Sequence, residues 1–258
     1  MSAEPVSDGA APERSVTGVA LRTAELTAGY GGSAVIHGLT LSVSPAEVVS
    51  IVGPNGSGKS TLLKSIVGVV EALSGQVLIG ETDVTGWRSE DIARLGVGYV
   101  PQVDDVFAPL TVRENLEMGG YLLKARDVPA RIEHVLTVFP RLAGMVGRRA
   151  GKLSGGERKM LAMGRVLMLA PGLVVLDEPT ANLAPQIAAT VLQEHVRRLA
   201  ATGASVLVVE QRARAVLEIS DRTYVMGGGQ MRMEGTPAEL ASSPEFVESF
   251  LGGGSRVA

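Results

Sequence analysis

"GPNGSGKST" occupies residues 53–61. It fits the pattern Gly-x-x-x-x-Gly-Lys-Ser/Thr, with Gly53, Gly58, Lys59 and Ser60 at the fixed positions and Pro54, Asn55, Gly56 and Ser57 between them. Glycines let a backbone curl so that successive N–H groups point inward at an anion. A helix starting just behind such a loop adds a partial positive charge at its N-terminus. Lys59 is then placed to reach the outer phosphates of a nucleotide, and the Ser60 hydroxyl to ligate Mg²⁺. Thr61 supplies a further phosphate contact. The context agrees: "EVVSIV" (47–52) is an apolar run of the kind buried in a parallel sheet, and helical spacing begins near Lys59.

Outward from the loop, short alternating strands precede it, "ALRTAEL" (20–26) and "LTLSV" (39–43), with a turn at "GYGG" (29–32). "QVLIG" (76–80) and "LGVGYVPQ" (95–102) read as further strands. Residues 112–170 change character. "TVRENLEMGGYLLKA", "PARIEHVLTVFPRL" and "GGERKMLAMGRVLML" all carry helical spacing and predict a helical insertion. Strand and helix then alternate: strand 173–177, helix 185–200 opened by Pro185 and closed before Gly203, strand 205–209, helix 212–219, strand 222–226. Residues 237–251 predict one or two short amphipathic helices.

A second feature belongs with the loop. "LVVLDEPT" (173–180) is an apolar strand ending in Asp177 and Glu178. A solvated strand end is one reading of two adjacent acids. Beside a phosphate loop the other is stronger: Asp177 holds Mg²⁺ and Glu178 polarises an attacking water as general base. A cation offsets the repulsion between them.

The third is "KLSGGERKM" (152–160). Ser154 and Glu157 form a capping box that opens a helix. The box does not call for glycines at 155 and 156, which weaken a first turn. They imply close backbone approach, and a helix N-terminus with bare amides is a phosphate site. One chain thus carries two phosphate sites, which a symmetric dimer would bring face to face.

The phosphate loop, "VPQ", "LSGGE" and "LVVLDEPT", in this order with a helical insert, resemble an ABC-type ATPase cassette over roughly residues 20–252. More narrowly, "TVRENLEMGGY", "VFPRL", "MLAMGRVLM", "NLAP", "VVEQ" and "SFLGG" resemble the ATPase subunits of branched-chain amino acid (LIV-type) importers. Amide and urea importers look similar. The resemblance implies an α/β fold: a phosphate-loop NTPase (RecA-like) core, an antiparallel β subdomain and a helical signature subdomain. It implies ATP and Mg²⁺ as ligands, and Tyr30 as the aromatic that stacks on adenine. Gln102 matches the glutamine that senses Mg²⁺ and the γ-phosphate beside the transmembrane subunit. Ser154, Gly155 and Gly156 match the signature that closes over the partner chain's ATP. Gln211 stands where most such ATPases carry a histidine reaching the γ-phosphate; it keeps a donor without a titratable proton. The implied partners are transmembrane permeases, a second ATPase subunit and, indirectly, a solute-binding receptor.

Besides Gln211, three residues depart from the pattern. Ala184 replaces an expected Asp in "ANLAP", and Asp104 and Asp105 stand where LIV-type relatives often carry Gly and Arg. The two acids read as solvated surface charges or as selectors of the membrane partner. The rival reading is a non-transport ATPase of the wider family, acting in DNA repair, translation or iron–sulfur assembly; DNA-repair versions need coiled-coil inserts and translation factors two cassettes, and neither is present. A regulatory nucleotide binder with little turnover is disfavoured by Glu178.

Composition fits this reading. A chain of 258 residues, 45% of them hydrophobic, suffices for one large α/β domain. A net charge of −3 offers no basic field for nucleic acid. With no cysteine there are no disulfides or thiolate metal sites. No run approaches the roughly 20 apolar residues of a membrane span, and residues 1–18 lack the features of a signal peptide. A disordered tail over 1–18, an ATPase domain over 19–252 and a flexible end over 253–258 are expected. So is a cytoplasmic place on the inner face of the cell membrane, held there by the permeases.

Overall fold

The computed structural model describes residues 16–251. Its strands form two sheets. The first is antiparallel: β1 (Leu21–Tyr30), β2 (Ser33–Val43), β4 (Ala72–Ile79) and β5 (Thr82–Asp83), in the order β2-β1-β4-β5. The second holds β3 (Val48–Val52), β6 (Val97–Val100), β7 (Leu173–Asp177), β8 (Ser205–Glu210), β9 (Arg222–Gly227) and β10 (Gln230–Gly235). Its order is β10-β9-β3-β8-β7-β6, parallel apart from β10.

The apolar runs of β3, β7 and β8 are explained by cover on both faces. Alternate side chains enter two different clusters: Val48, Val52, Val174, Leu176, Val206 and Val208 on one face, and Val49, Ile51, Leu173, Val175, Leu207 and Val209 on the other. Period-2 alternation with no polar side is what a doubly covered sheet requires. Each such Val or Leu contributes about 1.5–3 kcal/mol by leaving water.

The helices are α1 (Lys59–Ile66), α2 (Ser89–Arg94), α3 (Val112–Gly119), α4 (Val128–Val138), α5 (Pro140–Ala143) and α6 (Gly155–Leu167). They continue with α7 (Pro185–Thr190), α8 (Arg197–Ala200), α9 (Ala213–Leu217), α10 (Pro237–Ser242) and α11 (Pro244–Phe246). The expected helix 185–200 is continuous in direction, but its middle, Val191–Val196, is wound as a π-helix. The helical subdomain spans α3 to α6. Two capping boxes set its ends: Thr111 with Glu114 opens α3, and Ser154 with Glu157 opens α6.

β5, β10 and α2 are short elements that do not appear among those expected from the sequence. The tail expected over 1–18 lies outside the described residues up to 15. Its last part is otherwise: residues 16–18 run against the sheet, and a Cβ on Gly203 would meet the Val16 carbonyl at 2.4 Å. Val19 N then donates to Gly172 O at 2.9 Å. The end expected over 253–258 lies outside the described residues.

Candidate active site

Parallel register brings the site together. β3, β8, β7 and β6 lie side by side and all run the same way, so their C-terminal ends share one edge. Val52 pairs with Glu210, Asp177 with Val209, and Val100 with Leu176. The phosphate loop, Glu210–Gln211, Asp177–Glu178 and Gln102 therefore emerge next to one another. This is the edge at which open α/β sheets bind ligands.

The phosphate loop leads into α1, whose N-cap, Gly58, has φ +97° and offers no side-chain cap. A residue with a Cβ would be strained there, and its Cβ would come within 2.7 Å of Ile36 Cγ2. The first amides of α1 are thus left without a side-chain acceptor. Ser57 Oγ, in the loop itself, is buried without a hydrogen-bond partner. Bare amides and an orphaned hydroxyl suit a phosphate oxygen acceptor.

Lys59 is 4% exposed. Its Nζ donates to the carbonyls of Gly53 at 2.8 Å and Pro54 at 3.0 Å, and lies 3.8 Å from Glu178 Oε1. Burial pulls its pKa below the usual lysine value, while Glu178, Asp177 and Glu210 act the other way. Of these carboxylates Glu178 is the one in ion-pair range of the buried ammonium.

Asp177 is held from both sides. Ser60 Oγ donates to its Oδ1 at 2.9 Å, and the Tyr99 hydroxyl to its Oδ2 at 3.3 Å. Burial and then the Asp177 carboxylate push the Tyr99 phenol well above its usual pKa, so Tyr99 stays a donor. Ser60, Asp177 and the amide of Gln102 supply oxygen donors, with one carboxylate among them. That is the hard, sparsely charged set that suits Mg²⁺, which keeps waters and phosphate oxygens as its other ligands.

Glu178 sits at the centre. Its φ is +44°, a conformation uncommon for a residue with a Cβ. Its amide still donates to Val209 O at 3.0 Å, prolonging the β7–β8 ladder. Its Oε2 accepts from Gln102 Nε2 at 3.0 Å and Gln211 Nε2 at 2.7 Å. Gln211 thus shares the glutamate with Gln102 at the sheet edge.

The structure brings together Lys59, Ser60, Asp177, Glu178, Gln102 and Gln211. It does not bring Ser154, Gly155, Gly156 or Glu157 to the loop: among the described residues no hydrogen bond or ion pair joins 154–157 to 53–61. The close approach inferred from the paired glycines has a neighbour in the same chain. A Cβ on Gly155 would meet Leu183 Cδ2 at 2.4 Å, and one on Gly156 would meet Ile187 Cγ2 at 2.9 Å. Tyr30 stands at the end of β1, 53% exposed, with a ring free to stack. Ala184 is the N-cap of α7 and provides no side-chain cap.

Asp105 is not a solvated acid. It is buried, and its carboxylate lies 2.8 Å from Lys159 Nζ of α6. The same Nζ donates to Gln102 O at 2.9 Å. Asp104 is exposed, as expected of a surface charge. Tyr99 and Glu210 join the site without having been expected there from sequence. Their signal was position: each lies at or near the end of a buried strand on the site edge.

Comparisons with known proteins give the family. The family model described as "ABC transporter" matches residues 36–181. The chain is similar to the "Probable branched-chain amino acid transport ATP-binding protein LivF" of Archaeoglobus fulgidus, 39% identical over 232 residues, 90% of this chain and 98% of the relative. It is similar to the "High-affinity branched-chain amino acid transport ATP-binding protein BraG" of Pseudomonas aeruginosa, 40% identical over 224 residues, 87% of this chain and 96% of the relative. Among solved structures, the ADP conformation of MJ1267, an ATP-binding cassette of an ABC transporter, superposes with a TM-score of 0.81 at 32% identity, covering 91% of this chain and 99% of that one.

Proposed function

The chain belongs to the ABC transporter family, and from that premise we propose that it is the ATP-hydrolysing subunit of a branched-chain amino acid importer. The observation that carries the chemistry is the convergence of Lys59, Glu178, Gln102 and Gln211 at one sheet edge, beside the bare N-terminus of α1. The solute rests on the relatives' names: LivF and BraG are both called branched-chain amino acid transport proteins.

The N–H groups of the phosphate loop wrap the phosphates, Lys59 neutralises the outer ones and Thr61 adds a contact. Tyr30 stacks on the adenine. Ser60, Asp177 and Gln102 would hold Mg²⁺, which when bound would supply charge neutralisation. Glu178, oriented by the two glutamine amides, accepts the proton of the attacking water. Ser154, Gly155, Gly156 and Glu157 complete the site of a second ATPase subunit rather than their own, which fits their separation from the loop within one chain. No helix among the described residues is long and apolar enough to cross a membrane. The chain works on the cytoplasmic face, held by permease subunits that receive a receptor's solute. A groove of about 580 Å³ at Pro101 and Asp104, lined also by Val69, Tyr99, Phe107, Met118, Tyr121 and Arg165, supports that docking.

Two measurements test the reading. In the full chain, Glu178→Gln preserves ATP-dependent dimerisation while phosphate release falls by orders of magnitude; unchanged hydrolysis sinks the base assignment. In cells lacking their own leucine importer ATPases, the chain with its permeases restores labelled leucine uptake. Uptake of amides or urea instead of leucine would move it to the related importers.

A further inference from the structure

The last residue of β8 and the one after it reach the turn that carries Glu178 by different routes. Gln211 holds the side chain, through Nε2 to Glu178 Oε2. Glu210 holds the backbone: its Oε1 accepts from Thr180 N at 2.9 Å. Its Oε2 accepts from Gln211 N at 3.3 Å. One carboxylate therefore ties together the peptide two residues beyond Glu178 and the residue whose amide orients Glu178.

Glu210 is 2% exposed, and among the described residues no cation lies in ion-pair contact with it. A carboxylate so placed is disfavoured by desolvation, which raises its pKa, and filling the space would need no charge. What it provides is two acceptors on one rigid group. The turn it grips needs holding: Glu178 has φ +44°, a strained backbone that persists only where its surroundings enforce it.

We propose that Glu210 is a positioning residue for ATP hydrolysis: by accepting the Thr180 and Gln211 N–H groups it fixes the turn and the amide that aim Glu178 at the attacking water. This rests on the reading of Glu178 as the base. Both carboxylate oxygens of Glu210 are engaged by backbone N–H groups, those of Thr180 and Gln211, so its removal should act on turnover and leave nucleotide binding alone.

The test uses the purified full chain, with steady-state ATPase, ATP affinity and thermal unfolding measured for Glu210→Ala, Glu210→Gln, Gln211→Ala, Glu178→Gln and the Glu210→Ala/Gln211→Ala pair. Glu210→Ala is expected to lower kcat about 30- to 100-fold, as small misplacements of a catalytic group do, with KM for ATP within about twofold. Glu210→Gln has the same shape but can satisfy only one of the two N–H groups, so it should still fold and lose about 5- to 10-fold in kcat. The double variant should fall well short of the product of the two single losses, because both act through Glu178. If Glu210→Ala fails to fold, Glu210→Gln decides. Wild-type kcat in a folded Glu210→Gln, or losses that simply multiply, overturns the proposal. Those results beside an inactive Glu178→Gln leave the base reading standing; an active Glu178→Gln overturns the base reading itself.

Discussion

Gln211 Nε2 donates to Glu178 Oε2 at 2.7 Å, across two adjacent parallel strands. The glutamine therefore does more than present a donor to a phosphate: it fixes the orientation of the carboxylate assigned as base. Gln211→Ala should lower kcat about 10- to 100-fold through misorientation, with ATP binding nearly unchanged. Gln211→His retains a donor and should stay within a few-fold of wild type near pH 8. It should also bring an acid limb to the pH–rate profile near the histidine pKa of about 6.5. Steady-state phosphate release across pH checks both.

The Lys159–Asp105 pair joins α6 to the segment after Gln102, with both side chains under 10% exposed. Removing one partner leaves the other charge buried and alone. Asp105→Ala should destabilise the fold by about 3–5 kcal/mol, and the Lys159→Met/Asp105→Leu double variant should recover most of that loss. Chemical denaturation gives both numbers. Equal stability of wild type and Asp105→Ala would mean the pair contributes nothing.

Ser154 caps α6 through Glu157 N, and the same hydroxyl is assigned to a second subunit's site. Loss of the cap alone, in Ser154→Ala, should cost about 1 kcal/mol. Such a loss does not stop turnover in a folded protein, whereas loss of a contact across the dimer does. The expected result is unchanged ATP affinity in the single subunit and strongly reduced hydrolysis, read by nucleotide titration and phosphate release.

His195 lies in the π-helical segment, 3% exposed, edge-on to Phe139 with Nδ1 unpartnered. Burial lowers its pKa, helped by Arg141 and Arg198 and opposed by Glu194. Below an unfolded-state value of about 6.5 the unfolded chain takes up a proton that the folded chain resists. Stability at this position is therefore intact above that pH and declines as the pH falls towards the lowered folded-state pKa. His195→Leu should flatten that part of the stability curve between pH 7 and pH 5, measured by denaturant midpoints.

Much of the molecule was legible in one dimension. The phosphate loop, the "LVVLD" strand, the Ser154–Glu157 box and the helical insert are local patterns, and backbone sterics, capping and period suffice to read them. Short edge elements such as β10 were not legible, since its alternation spans only six residues and neither face is fully buried.

What only the tertiary structure decided is which side chains meet. Tyr99 reaches Asp177 across 78 positions of sequence, and Glu210 reaches Thr180 across 30. Sequence alone determined that buried strands end in polar residues. It could not say that β3 would lie beside β8 and β8 beside β7, because parallel neighbours are joined by long crossovers and local periodicity carries no strand order. Once that order and register close, the strand ends share one edge. Low dielectric and burial then turn separate polar termini into a single coupled site.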